Sequence, residues 1–214
     1  MAAQHESMSA LPVHDSVPSL SLPGCVPRPP PPARARYGTT LALPPPGARV
    51  TLADGRRLKL RPVQAPDVAA LQRLFARLTP GEIRMRFMHS VTELPDVLAR
   101  RMTDLDHDCE LAWVLLDPAD DARAEMRGIA RLYIDAATAA AEFALLVEQA
   151  YTGQGLGALL MAQLIRACRE RVLHEIWGHV LAENHAMLDL CAELGFTRAS
   201  VPGDPGVMHV RLTL

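Results

Sequence analysis

Three glycines within five residues, Gly153-Gln154-Gly155-Leu156-Gly157, carry the first chemistry in this sequence. With no Cβ in the way, successive backbone N–H groups can line one concavity. A helical run, Leu156 to Val172, follows at once. Its start adds unpaired N–H groups and the positive end of the helix dipole. Together these make an anion site suited to a pyrophosphate; a glycine turn without a ligand is the competing reading. Upstream lies Glu142, at the head of an apolar run of strand length, Phe143 to Val147. Strand alternation puts Glu142, Ala144 and Leu146 on one face, and Phe143, Leu145 and Val147 on the other. A carboxylate among apolar neighbours is expected to titrate above its ordinary range. An edge or ion-paired glutamate is the plain alternative.

Context narrows the choice of phosphate site. Gly153, Gly155 and Ala158 formally match GxGxxA, a dinucleotide fingerprint. Such glycines sit directly at a strand end, whereas several residues separate Val147 from Gly153. The fingerprint also needs an acidic residue ending the next strand about 20 residues on, and Glu175 opens that strand instead. No Lys-Ser/Thr follows the glycines, which excludes a P-loop.

The elements that must hold these residues are readable in order. Strands at Arg49 to Leu52 and Arg57 to Leu60 flank Asp54-Gly55, a hairpin signal, and Arg61-Pro62 ends the second. Pro66-Asp67 opens a helix with Val68, Leu71, Leu74, Phe75 and Leu78 at helical spacing. Thr79-Pro80-Gly81-Glu82 is a capping-box pattern with proline at the first helical position. Leu94 to Met102 reads as another helix. Strands follow at Leu111 to Leu116, Gly128 to Asp135 and Glu142 to Val147. After the long helix come a strand at Glu175 to Leu181 and a helix opened by Asn184 and capped by Gly195. Strands at Phe196 to Val201 and Val207 to Leu214 close the chain. This succession suggests an α/β fold, a mixed sheet with helices on both faces.

Composition sets outer limits. The 214 residues suit one domain with some excess, and a formal charge of -2 gives no case for nucleic acid. The four cysteines, Cys25, Cys109, Cys168 and Cys191, have neither zinc-knuckle spacing nor a disulfide pattern, which fits a reducing cytoplasm. No apolar run reaches the roughly 18 residues of a membrane span. Residues 1–47 hold most of the 18 prolines and few large apolar residues. They read as a disordered, partly polyproline II tail, and residues 48–214 as the folded domain. Asp104, Asp106, His107, Asp108, Cys109 and Glu110 lie close together, but their spacing fits no common zinc site, so no metal is expected.

The stretch from Ala141 to Leu160 resembles motif A of the GNAT superfamily of N-acetyltransferases, in which (Gln/Arg)-x-x-Gly-x-Gly/Ala follows a strand and opens a helix. Here the motif reads Thr152-Gly153-Gln154-Gly155-Leu156-Gly157. Thr152 departs from the usual Gln or Arg and removes one side-chain contact; backbone amides carry most of the cradle. The resemblance runs from about Val50 to Leu214. Four stretches are similar to one subgroup, the bacterial protein lysine acetyltransferases. They are Leu78-Thr79-Pro80 with Arg84-Met85-Arg86-Phe87, Asp104 to Trp113, Ala141-Glu142-Phe143-Ala144, and Ala182-Glu183-Asn184 with Leu194-Gly195-Phe196. The subgroup often carries a fused acyl-CoA-synthetase-like region; here the proline-rich segment stands in that place.

The resemblance implies a GNAT fold with a mostly antiparallel central sheet, and acetyl-CoA as cosubstrate. It implies a coenzyme site of Leu145, Leu146, Val147, Gly153, Gln154, Gly155, Leu156, Gly157, Ala158 and Asn184, with Glu142 as the catalytic base. A lysine amine, with a pKa near 10.4, must lose a proton before it attacks a thioester. The implied acceptor is a lysine of a protein such as an acyl-CoA synthetase, and Asp104, Asp106, Asp108 and Glu110 are expected on the acceptor side to attract it. Transfer to a small-molecule amine is an alternative, and a non-catalytic acyl-CoA-binding module is another. Glu110 is the rival carboxylate, structural or substrate-facing. Many GNAT enzymes place a tyrosine seven residues after the asparagine as general acid; Cys191 stands there, and packing in the core is its expected role. The sequence leaves the oligomeric state open.

Overall fold

The computed structural model describes residue 45 and residues 47–88, 92–117 and 123–214. Apart from Pro45 and Gly47, the expected N-terminal tail lies outside the described residues. Strands β1 (Arg49–Thr51) and β2 (Arg57–Pro62) form the expected hairpin. Gly55, at φ +86°, supplies the left-handed turn residue, and its N–H donates to the Leu52 carbonyl at 3.0 Å. Helices α1 (Val68–Arg77), α2 (Pro80–Phe87) and α3 (Asp96–Thr103) follow. The capping box at the start of α2 forms: the Thr79 hydroxyl accepts from the Glu82 N–H at 3.2 Å, and the Glu82 carboxylate accepts from the Thr79 N–H at 2.8 Å.

Strands β3 (Glu110–Asp117), β4 (Glu125–Asp135) and β5 (Ala140–Val147) make a meander. Then come α4 (Leu156–Glu170), β6 (Glu175–Leu181), α5 (His185–Glu193), β7 (Thr197–Val201) and β8 (Asp204–Thr213). Several boundaries shift from expectation, and two of the shifts have clear local reasons. α4 stops at Glu170 rather than Val172, because Val172 takes φ 57°, outside the helical region. β4 starts at Glu125 rather than Gly128, because a β-bulge carries the ladder past Arg127: Leu115 pairs with Gly128, and Leu116 with Met126.

The eight strands form one sheet in the order β1-β2-β3-β4-β5-β6-β8-β7. Among its neighbouring pairs only β5 and β6 are parallel, and they pair over three residues, ending at Glu142 opposite Trp177. Beyond that point the two strands splay apart. Phe143 packs beside the fork. Its ring packs so close to Gly178 that a Cβ there would lie 2.7 Å from it, and it meets Phe196 edge-on with centroids 5.7 Å apart.

Two apolar layers cover the sheet. Leu156, Leu160, Met161 and Leu164 of α4 and Leu188 of α5 pack on one face with Ala141 and Phe143. Leu71, Leu74 and Phe75 of α1, Ile83 of α2 and Met102 of α3 pack on the other, where Leu146 also contacts them. The alternation along β5 therefore sorts its residues as the sequence indicates. Burying each large aliphatic side chain contributes about 1.5–3 kcal/mol.

On the α1–α3 side a buried ion pair crosses the sheet. Glu110 and Arg131 are 5% and 1% exposed and pair at 2.8 Å, and Arg131 also donates to the Met102 carbonyl. Of the two roles open to Glu110, the structural one holds.

Candidate active site

The splay between β5 and β6 opens a cavity of about 780 Å³. One wall is β5 from Glu142 to Val147, and another is α2 with the residues before it, including Thr79, Glu82, Met85 and Arg86. His179, Val180 and α5 form the far wall. Once pairing with β6 ends, the edge of β5 beyond Glu142 has free backbone groups, which can take an extended chain as an added strand.

The glycine loop closes one end. Gly153 and Gly155 take φ +72° and +77°, and a Cβ on either meets nothing within 4 Å. Backbone conformation and an open approach therefore require these glycines, not packing. Among the described residues, none of the N–H groups from Gly153 to Ala158 has a hydrogen-bond partner; the Leu159 N–H is the first to bond back, to Gly155 at 3.0 Å. Six adjacent donors are left unpaired at a helix start, and five of their residues, all but Gln154, line the cavity, as an anion cradle requires. Thr152 turns its hydroxyl to the Gln149 carbonyl at 2.8 Å, a local bond that accounts for its place in the motif.

The loop is held from below. Glu148, at the end of β5, pairs with Arg127 at 3.1 Å and Arg77 at 3.2 Å. Arg127, the residue of the bulge, also lies 5.1 Å from the centre of the Tyr151 ring, and Arg56 of the first hairpin lies 4.3 Å from it. The Gln149 N–H donates to Glu82 at 2.8 Å, so the carboxylate that caps α2 also ties down the start of the loop.

Glu142 stands at the other end. It is half-buried, and burial pushes its carboxyl above the usual range, while Arg86 and His209 pull it back. Across β4 its register partner is Tyr133, and across β6 it is Trp177. Glu110 lies in the same row, opposite Tyr133 on β3. One row thus holds two carboxylates: one locked on Arg131 and one open to the cavity.

Leu145, Leu146, Val147, Gly153, Gly155, Leu156, Gly157, Ala158 and Asn184 all line the cavity. Gln154 is not part of the lining, and its buried side-chain oxygen has no partner among the described residues. Asn184 also caps α5, accepting from the Met187 N–H at 3.2 Å. Cys191 is packed in the core, where burial pushes its thiol up to about 11. The acidic run differs from expectation: Asp104, Asp106 and Asp108 are exposed in the α3–β3 loop, and neither they nor Glu110 line the cavity. Cys109 in that loop is disulfide-bonded, against the expectation from cysteine spacing.

Sequence reasoning assigned no role to Arg86, His179 or His209; alternation puts His179 on the same face of its strand as Trp177, but only the register of β5 with β6 brings that face to Glu142. Two of the resemblance stretches meet directly: Arg84 of α2 pairs with Glu183 at 2.8 Å. Among the described residues no cluster of three or more His, Cys, Asp or Glu is placed to hold a metal, and no helix is long and apolar enough to cross a membrane.

Known proteins share this fold. Acetyltransferase PA5475 of Pseudomonas aeruginosa is 31% identical over 164 residues, which cover 77% of this chain and 88% of that one. The GNAT domain of S. lividans PAT superposes with a TM-score of 0.68 at 24% identity, over 78% of this chain and 96% of its own. Spermidine N-acetyltransferase of Vibrio cholerae, solved with CoA and spermine, gives 0.58 at 19% identity, over 73% and 95%. The family profile described as "Acetyltransferase (GNAT) family" matches residues 71–196, a span that takes in α2, the Glu142 strand, the glycine loop and Asn184. The chain belongs to the GNAT family and is an acetyltransferase.

Proposed function

We propose that the protein binds acetyl-CoA in this cavity and transfers the acetyl group to a lysine side chain of another protein, with an AMP-forming acyl-CoA synthetase as the target. One observation carries the reading. A single cavity joins the amide-lined glycine loop and the free edge of β5 to a half-buried carboxylate at its other end. The pyrophosphate takes the N–H groups of Gly153 to Ala158, and the pantetheine pairs along Leu145 to Val147. That the Vibrio cholerae structure holds CoA supports coenzyme A as the ligand.

In this reading Glu142 takes a proton from the lysine ammonium, and the neutral amine attacks the thioester carbonyl. The C–S bond breaks, the nitrogen gives its second proton to solvent as the amide forms, and coenzyme A leaves as a thiolate. Cys191 is buried away from the cavity, so solvent protonates that thiolate. Backbone N–H groups of β5 polarise the carbonyl. Support for the lysine acceptor comes from the four stretches shared with protein lysine acetyltransferases. Three of them converge here: Arg84 to Phe87, Glu142 in Ala141 to Ala144, and Glu183-Asn184.

The test incubates the enzyme with labelled acetyl-CoA and purified acyl-CoA synthetases, beside a panel of polyamines, amino acids and aminoglycosides. Label in a single synthetase lysine, with loss of synthetase activity, supports the proposal. Fast turnover of one small amine with no labelled synthetase overturns it.

A further inference from the structure

Three aromatic rings lie beside Glu142 and take no part in the chemistry above. Trp177 is the register partner of Glu142 on β6, His179 stands two residues on, and His209 pairs with His179 from β8. Their centroids form a closed triangle: 5.3 Å from Trp177 to His179, 5.4 Å from Trp177 to His209, and 5.5 Å between the histidines. These separations are those of rings in direct contact. All three side chains are half-buried. Among the described residues, the apolar layer of α1–α3 draws none from β6 or β8, so these rings lie outside that layer. His179 lines the cavity, and His209 is near enough to Glu142 to act on its carboxyl.

We infer that Trp177, His179 and His209 form the floor of the acceptor subsite, on which an unbranched primary alkylammonium lies with its methylenes against the rings and its nitrogen toward Glu142. The chemistry selects that occupant. A carboxylate attracts a cation, and so does the face of an aromatic ring, the indole most strongly. The flat sides of the rings cover an apolar stem, as they do for lysine side chains that bury their methylenes and keep the charged end polar. Arg86 faces Glu142 from α2. Its positive charge favours the ionised form of Glu142, the form that attracts an ammonium and can accept its proton. Arg211, the register partner of Trp177 on β8, is 3.9 Å from Glu175. Acceptors with a short or anionic stem lack both attractions.

The inference rests on the acetyltransferase reading of the cavity, and the test separates the two. The chain has two tryptophans, so Trp113→Phe leaves Trp177 as its one indole fluorophore. That protein is titrated with n-butylammonium and with n-butanol, an uncharged analogue, each with and without coenzyme A. The expected result is a saturable fluorescence change with n-butylammonium and binding about tenfold weaker for the alcohol. In steady-state assays Trp177→Leu should raise KM for Nα-acetyl-lysine amide about tenfold, with acetyl-CoA affinity unchanged; Trp177→Phe, which keeps a ring, should recover most of the loss. His179→Leu serves as the second variant if Trp177→Leu fails to fold. A flat amine titration beside intact acetyl-CoA binding overturns the floor alone, as does a wild-type KM in folded Trp177→Leu. Saturable amine binding without any acetyl-CoA binding upholds the floor and removes the acetyltransferase reading.

Discussion

The two ends of the cavity are built from different parts of the polypeptide. The glycine end is made of backbone: six N–H donors, two left-handed glycines and the start of α4. The other end is made of side chains: Glu142, Arg86 and His179 line it, with the Trp177 and His209 rings against His179. A backbone site tolerates change at most side chains and fails when its conformation or free space is lost. A side-chain site keeps its shape under substitution and loses one function at a time. The former suits a cosubstrate group common to a whole family; the latter is where the proposed acceptor subsite lies.

The sharpest way to break the contrast is Gly155→Glu. It places a carboxylate among the cradle donors and forces a side chain onto φ +77°, and it should abolish acetyl-CoA binding in calorimetry while the fold persists. Unchanged affinity would sink the cradle. At the other end, Glu142→Gln should lower kcat roughly 10²–10⁴-fold with acetyl-CoA affinity nearly unchanged. In the wild type, activity should rise with pH along a limb lying above the ordinary carboxylate range, because burial holds the Glu142 carboxyl up; near-wild-type kcat in the variant would exclude the base.

Glu110 sharpens the comparison from within the same row. Glu110→Ala should cost about 3–5 kcal/mol in chemical denaturation, because Arg131 is left buried without its partner. Glu110→Ala with Arg131→Met should regain part of that stability. A Glu110→Ala protein as stable as wild type would mean the pair contributes nothing. At the fork, Gly178→Ala should cost about 1–3 kcal/mol by driving a Cβ into the Phe143 ring, with Phe143→Leu relieving it.

The smallest effect is on stability at Glu142 itself. Its carboxyl is raised, so its contribution to folding is present below the unfolded value of 4.5 and is lost as pH rises through the folded value. Glu142→Gln avoids that loss and should melt up to about 3 °C higher near pH 8, a gain limited by partial exposure, with no gain near pH 4. A variant that melts lower than wild type at the alkaline end would contradict the sign.

The backbone end was legible in the sequence because its requirements are local. Glycine spacing, a following helix and a preceding strand are all visible along the chain, and they located Gly153 to Ala158 and Leu145 to Val147. Alternation also placed Glu142 on its face. The side-chain end depends on which strands become neighbours, and neighbours were not legible. Trp177, His179 and His209 come together only because β8 inserts between β6 and β7. Glu110 and the aspartates looked alike in sequence, yet register turned Glu110 inward onto Arg131 and left the others in an exposed loop. The bulge at Arg127, which directs that side chain toward Glu148 and Tyr151, has no local signal either.

Amide hydrogen exchange with and without coenzyme A tests the central claim most directly. The account predicts new protection in two segments, Leu145 to Val147 and Gly153 to Ala158, equal in wild type and Glu142→Gln. Protection absent from both segments while coenzyme A is bound, or gained only around the side-chain end, would contradict it.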